Sequence, residues 1–114
     1  MAESREFQET RIKGRLWIER QGETFLDWGR VVLLEHIRET GSIAAAARAM
    51  EMAYSHSWSL VANMNRLAWV GLVDRTFGGR NGGKAWLTRA GEAAITQFGE
   101  MAGRFREWLK DQEA

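Results

Sequence analysis

From Gly41 to Gly91 the chain reads GSIAAAARAMEMAYSHSWSLVANMNRLAWVGLVDRTFGGRNGGKAWLTRAG, and this stretch leaves few folds open. Thr40-Gly41 stops one helix, glycine supplying a left-handed cap. Ser42 then caps a second helix, Ile43 to Met50. Its alanines (Ala44, Ala45, Ala46, Ala47 and Ala49) favour helix and let another helix approach closely, although such a helix also suits any small bundle. Glu51-Met52-Ala53 is a break, and a third helix is expected from about Tyr54 to Ala68. Leu60, Met64 and Leu67 form its apolar row, widened by Trp58, Val61 and Ala62. His56, Ser59, Asn63 and Arg66 form the opposite, polar row, with Tyr54 and Ser55 at the tip. Two helices crossing over a short turn, the second showing a hydrogen-bonding face, is the geometry that lays a helix in the DNA major groove. A surface helix whose polar face meets only water has the same pattern.

Leu72 to Arg75 and Ala85 to Leu87 read as short partner strands. Between them, Gly78, Gly79, Gly82 and Gly83 permit backbone turns that other residues resist, and Arg80 and Lys84 carry charge. A loop tracking a phosphate backbone needs such freedom and charge; a plain surface hairpin is the alternative. A nucleotide-binding loop is excluded, because Gly83-Lys84 is followed by Ala85 rather than Ser or Thr, and the loop joins strand to strand.

The flanks add three elements. Arg15 to Glu19 and Glu23 to Leu26, joined at Gln21-Gly22, are expected to form a hairpin. Asp27 caps a helix whose core face is Trp28, Val31, Leu34 and Ile37, with Leu33. Thr88 caps a last helix with apolar residues Ala94, Ile95, Phe98, Met101, Ala102, Phe105, Trp108 and Leu109 at intervals of three and four. So long a seam on a small chain is expected to pack against its copy in a second subunit, with Gly99 and Gly103 permitting close approach. The alternative is that the seam folds back onto the chain's own hairpin and first helix.

The expected fold is therefore mainly α with small β (α+β): a winged helix-turn-helix with an N-terminal β-hairpin and a long C-terminal dimerisation helix. Residues 1–10 are expected to be disordered and 11–114 to form one domain, with the wing at about 72–87 and the dimerisation helix at about 88–112.

With 114 residues, 45% of them hydrophobic, and six tryptophans, one well-cored domain is what the chain can build. The absence of cysteine removes disulfides, thiol catalysis and thiolate metal sites. No apolar run approaches membrane-spanning length and no charged-then-apolar leader opens the chain, so the expected location is the cytoplasm. Net charge is only +1, but Arg75, Arg80, Lys84 and Arg89 fall in a stretch without any acid, which concentrates positive charge locally. His36 and His56 are the only histidines and lie in no catalytic or metal-ligand spacing, so neither an enzyme nor a metal site or other cofactor is expected.

Gly41-Ser42-Ile43, the alanine run through Met50, Tyr54 with Trp58, Met64-Asn65, the Gly-Gly-Arg-Asn-Gly-Gly loop from Gly78 to Gly83, and Leu87-Thr88-Arg89-Ala90-Gly91 together resemble the DNA-binding domain of ModE-type molybdate-responsive regulators. A wider similarity to LysR-type winged domains runs through the Gly-Ser and Leu-Thr-x-x-Gly parts. The resemblance covers about Arg30 to Phe98 and implies a bacterial transcription regulator. Two departures stand out. Ala53 occupies the place where the family puts a capping serine, so that cap is lost or supplied otherwise, at a cost of about 1 kcal/mol. Ser55 and His56 follow the tyrosine where a basic residue is usual. Molybdate sensing is not carried over, because nothing here matches an oxyanion site, and the small-molecule effector is unknown.

The expected partner is double-stranded DNA. Tyr54, Ser55, His56, Ser59 and Asn63 would meet bases and nearby phosphates, Arg80, Asn81 and Lys84 would hold the backbone or minor groove, and Ser42 and Arg89 would add phosphate contacts. The dimer contacts would be Ile95, Phe98, Met101, Ala102, Phe105, Trp108 and Leu109. The alternative is a protein-interaction module on the same scaffold, for which the aromatic and methionine content is suited.

Overall fold

The computed structural model describes residues 5, 6, 8–77 and 83–113. The chain runs β1 (Ile18–Arg20), β2 (Glu23–Leu26), α1 (Trp28–Thr40), α2 (Ile43–Ala49), α3 (Tyr54–Leu67), β3 (Val73–Arg75), β4 (Ala85–Leu87) and α4 (Arg89–Asp111). Each strand pair is a separate antiparallel two-stranded sheet. Arg80 and Asn81 lie outside the described residues, as do residues 1–4 and 7 of the N-terminal segment expected to be disordered.

The front hairpin turns at Gln21-Gly22, both left-handed at φ 54° and 76°, as a tight two-residue hairpin requires. Pairing begins only at Ile18, opposite Leu26, so the strand expected from Arg15 is shorter than its residue pattern implied. The reason is the partner: after Leu26 the chain leaves the sheet, because Asp27 caps α1 by accepting from Arg30 N–H at 2.8 Å.

In α1 the buried residues are Val31, Leu33, Leu34 and Ile37, whereas Trp28 is 62% exposed and does not belong to the core face. At 3.6 residues per turn, every three-residue step falls back by about 60°, so three steps carry Trp28 about 180° from Ile37. Gly41 closes α1 at φ 72°, donating to the Ile37 carbonyl at 2.8 Å. Ser42 caps α2 through Ala45 N–H at 3.1 Å. The break after α2 is a Schellman turn made without glycine: Glu51 is left-handed at φ 53°, Met52 N–H reaches the Ala47 carbonyl at 2.9 Å and Glu51 N–H the Arg48 carbonyl at 3.1 Å. Ala53 precedes α3 with no side-chain cap. The face of α3 that packs inward is Ser57, Val61, Met64 and Leu67, with Trp58 and Leu60 half-buried and Ala62 exposed. Ser57 is buried where the apolar pattern passed it over; its hydroxyl donates to the Tyr54 carbonyl at 2.8 Å, which satisfies it within the helix.

Two polar side chains hold the second hairpin against α3 and α4. Asn65 Oδ1 accepts from Leu72 and Val73 N–H at 2.8 and 3.1 Å, and its Nδ2 donates to the Val73 carbonyl at 2.9 Å. Thr88 Oγ1 donates to the Gly71 carbonyl at 2.6 Å and caps α4 through Gly91 N–H at 3.1 Å. Gly91 is obligatory, because a Cβ there would run into the Leu72 carbonyl. The Leu-Thr-x-x-Gly segment is thus a clamp between the hairpin's exit and the turn after α3.

Helix α4 buries Gly91, Ala94, Phe98 and Ala102 against the chain's own core. Further along, Phe105 and Leu109 lie under the backbone of Gly14, whose missing Cβ would sit 2.8 Å from Phe105 Cζ. The radius of gyration is 17.9 Å, against about 13 Å for a compact domain of this length, so the molecule is elongated, with extents of 67 × 29 × 22 Å.

Candidate nucleic-acid interface

The N-terminal turns of α2 and α3 converge on the base of the second hairpin. One backbone bond fixes this convergence: Ala85 N–H in β4 donates to the Gly41 carbonyl at the α1–α2 corner, at 2.9 Å. The hairpin is extended past its strands by Thr76, whose N–H donates to the Lys84 carbonyl at 2.9 Å and whose hydroxyl accepts from Lys84 N–H at 2.9 Å. Gly83 lies there at φ 80°, and a Cβ would strike the Thr76 carbonyl. Tyr54, Arg75, Thr76 and Lys84 therefore line one crevice together with Ile43 and Ala44.

On α3, Tyr54 (47% exposed), Ser55, His56 and Ser59 all face solvent, and Asn63 is half-buried. Ser59 Oγ donates back to the Ser55 carbonyl at 3.1 Å, leaving its lone pairs outward. No acidic residue occupies the first turn of α3, so the positive end of its dipole is uncompensated there. Arg66, at the other end of the polar row, is tied to Glu23 of the hairpin at 2.6 Å and so is drawn away from the exposed tip.

Of the residues expected to act together, Tyr54 and Lys84 share the crevice, and Ser42 precedes the α2 turn that forms its wall. Ser42's oxygen is engaged as a cap. Arg89 is exposed at the start of α4, after β4 has left the tip. The residues expected at a dimer contact divide three ways. Phe98 and Ala102 are core residues of this chain, Ile95, Met101, Phe105 and Leu109 are half-buried, and Trp108 is 56% exposed. Phe98 and Ala102 thus pack within this chain, in the same core cluster as Ala94.

Arg75 drew attention in the sequence only as one of four basic residues. Its guanidinium carbon lies 3.9 Å from the centroid of a Trp58 ring and 4.6 Å from that of Phe77, which bridges α3 and the second hairpin. Asn65 stood in the sequence without a role; the signal that it is structural is its position seven to eight residues before the strand whose backbone it reads. Among the described residues no group of three or more His, Asp or Glu could hold a metal ion. No described helix is long and apolar enough to cross a membrane.

These features define a winged helix-turn-helix unit: α2 and α3 as the paired helices, β3 and β4 as the wing, α4 leading away from it. The family model for bacterial regulatory helix-turn-helix proteins of the lysR family matches residues 28–92, more than half of the chain, and the chain belongs to that family. It is 40% identical over 94 residues to the molybdenum-pterin-binding protein MopA of Rhodobacter capsulatus, covering 82% of this chain and 36% of that protein. It is 38% identical over 87 residues to the transcriptional regulator ModE of Yersinia pestis, covering 76% and 33% respectively. To MopB of Rhodobacter capsulatus it is 46% identical over 84 residues, covering 74% and 31%. The chain thus spans about a third of the length of the curated relatives it matches, and the resemblance read from Gly41 to Gly91 is to a ModE-type winged domain.

Proposed function

We propose that this chain is a sequence-specific DNA-binding transcriptional regulator that acts as a homodimer on an inverted-repeat operator. The observation that carries the reading is the Ala85–Gly41 backbone bond, which fixes the wing beside the exposed first turns of α3. In that arrangement α3 enters the major groove with Tyr54, Ser55, His56, Ser59 and Asn63 facing base edges and adjacent phosphates, while Arg80, Asn81 and Lys84 hold the backbone from the wing. Relatives named as transcriptional regulators support it. Selection of bound fragments from genomic DNA, followed by sequencing, tests it: a palindromic consensus with half-sites about one helical turn apart is expected, and no enrichment over input sinks it.

The wing contribution has its own readout. Replacing Arg80 and Lys84 together by alanine is expected to weaken binding and to flatten the dependence of log K on log salt by about 1.8, that is about 0.9 for each phosphate no longer neutralised. An unchanged slope removes the wing from the interface.

The homodimer reading rests on surface rather than on the buried seam. Trp17 (52% exposed), Trp28 (62%) and Trp108 (56%) are large apolar groups that a monomer leaves in water. Gly99 meets no neighbour within 4 Å on the outer side of α4. Sedimentation at micromolar concentration is expected to give a dimer, and Trp108→Ala to shift it toward monomer with little change in monomer stability. A wild-type monomer under those conditions removes the dimer from the proposal.

A further inference from the structure

We propose that Arg75, held in cation–π contact with both Trp58 and Phe77, is a further DNA-contacting residue that donates guanidinium N–H groups to a backbone phosphate where α3 and the wing meet. The inference rests on the DNA-binding reading above and assigns it a residue outside the set expected from the sequence.

Stacking is the first ground. With ring centroids 3.9 and 4.6 Å from Cζ, the guanidinium lies over two aromatic rings at once. A planar cation stacked in this way keeps its N–H donors in the plane and loses little further rotamer freedom on forming hydrogen bonds. The second ground is what those donors do. Among the described residues the Arg75 side chain makes no ion pair and no hydrogen bond, in contrast to Arg30, Arg38 and Arg66, each paired with a carboxylate. Nor are its nitrogens buried without partners: the one such side-chain atom found among the described residues is Arg30 Nε. On a half-buried side chain these donors thus keep some access to solvent and are spent on no protein partner among the described residues. The third ground is position. Arg75 lines the same crevice as Tyr54, Thr76 and Lys84, so a phosphate oxygen at its mouth would meet two cations and a hydroxyl. Phe77 fits this arrangement. It is 82% exposed, and an aromatic ring that far into water gains from a surface that covers both it and the arginine it backs.

A cation–π stack that merely joins α3 to the wing would stabilise the fold and leave DNA binding to other residues, so the test needs a readout that such a role would not move. Fluorescence anisotropy of the full chain on a labelled duplex of about 30 base pairs and random sequence, titrated with salt, supplies it, since a phosphate contact is blind to sequence. Arg75→Gln is expected to weaken binding by about tenfold to a hundredfold and to lower the salt slope by about 0.9. Arg75→Lys keeps the charge but not the fork or the stack, and is expected to weaken binding less while retaining the slope. Thermal melts accompany both variants; if Arg75→Gln does not fold, Arg75→Lys carries the test, and wild-type affinity in it overturns the proposal. Arg75→Gln that folds and binds with wild-type affinity and slope overturns it too. A loss seen only on a selected operator, and absent on random duplex, makes Arg75 a base reader and overturns the phosphate assignment. If the wild-type chain binds neither duplex at low salt, the DNA-binding reading itself fails, and this inference with it.

Discussion

Replacing Phe98 by alanine is expected to lower the free energy of unfolding by about 3–5 kcal/mol. Phe98 is only 2% exposed and lies on the buried side of α4 between Ala94 and Ala102, whose small side chains have nothing to extend into the space it would leave. Small domains hold about 5–15 kcal/mol in total, so this one change removes a large share of the stability. Denaturant unfolding at two protein concentrations checks the claim. A core residue lowers stability equally at both concentrations, whereas a dimer contact gives a loss that depends on concentration. A loss below about 1 kcal/mol, the centre of the distribution for ordinary substitutions, would return Phe98 to the partner surface.

The second large effect is expected at Asn65. Its amide replaces a missing strand partner for Leu72 and Val73 through three hydrogen bonds of 2.8 to 3.1 Å. Asn65→Ala removes about 1 kcal/mol for each and leaves backbone groups of two buried residues unpaired, for a loss of about 3 kcal/mol. Asn65→Asp keeps the acceptor for the two N–H groups but sets a carboxylate oxygen against the Val73 carbonyl where the amide donated, so it too is expected to destabilise. Because Asn65 ties α3 to the strand that leads into the wing, the alanine variant is also expected to bind DNA more weakly under the proposed function. Hydrogen exchange at the Leu72 and Val73 amides reads the local effect: faster exchange is expected in Asn65→Ala, and wild-type protection there would contradict the clamp.

Much of the architecture was legible because it is written in short-range chemistry. Asp27, Ser42 and Thr88 each cap the helix that their position in the sequence announced, through bonds to the N–H three residues on. Gly22 and Gly41 adopt the left-handed conformations that glycine makes accessible, and the two-residue turn holds Gln21 there as well. The α2–α3 turn was harder. Its left-handed residue is Glu51, which carries no glycine signal; the Schellman bonds to Ala47 and Arg48 hold it there. Side-chain pairing across the fold was not legible at all. Arg66 belonged to a polar row suited to DNA, yet Glu23, 43 residues away in sequence, holds it against the hairpin.

The candidate site divides along the same line. The exposed tip of α3 was legible in part: helix periodicity turns Ser55, His56 and Ser59 away from Val61, whereas Tyr54, seven residues before Val61, lies on Val61's side and is exposed because it stands in the first turn. The role of Arg75 was not, since its two aromatic neighbours come from different elements, Trp58 on α3 and Phe77 beyond β3.

By itself the sequence determined the order of elements, their caps and the family, since these depend on residues within a turn or two of each other. Only the tertiary structure decided that Phe98 and Ala102 serve the chain's own core, that Trp28 faces water, and that Asn65, Gly91 and the Ala85–Gly41 bond lock the wing in place. Burial and clamping are properties of what lies opposite a residue, and for this chain what lies opposite is often far away in the sequence.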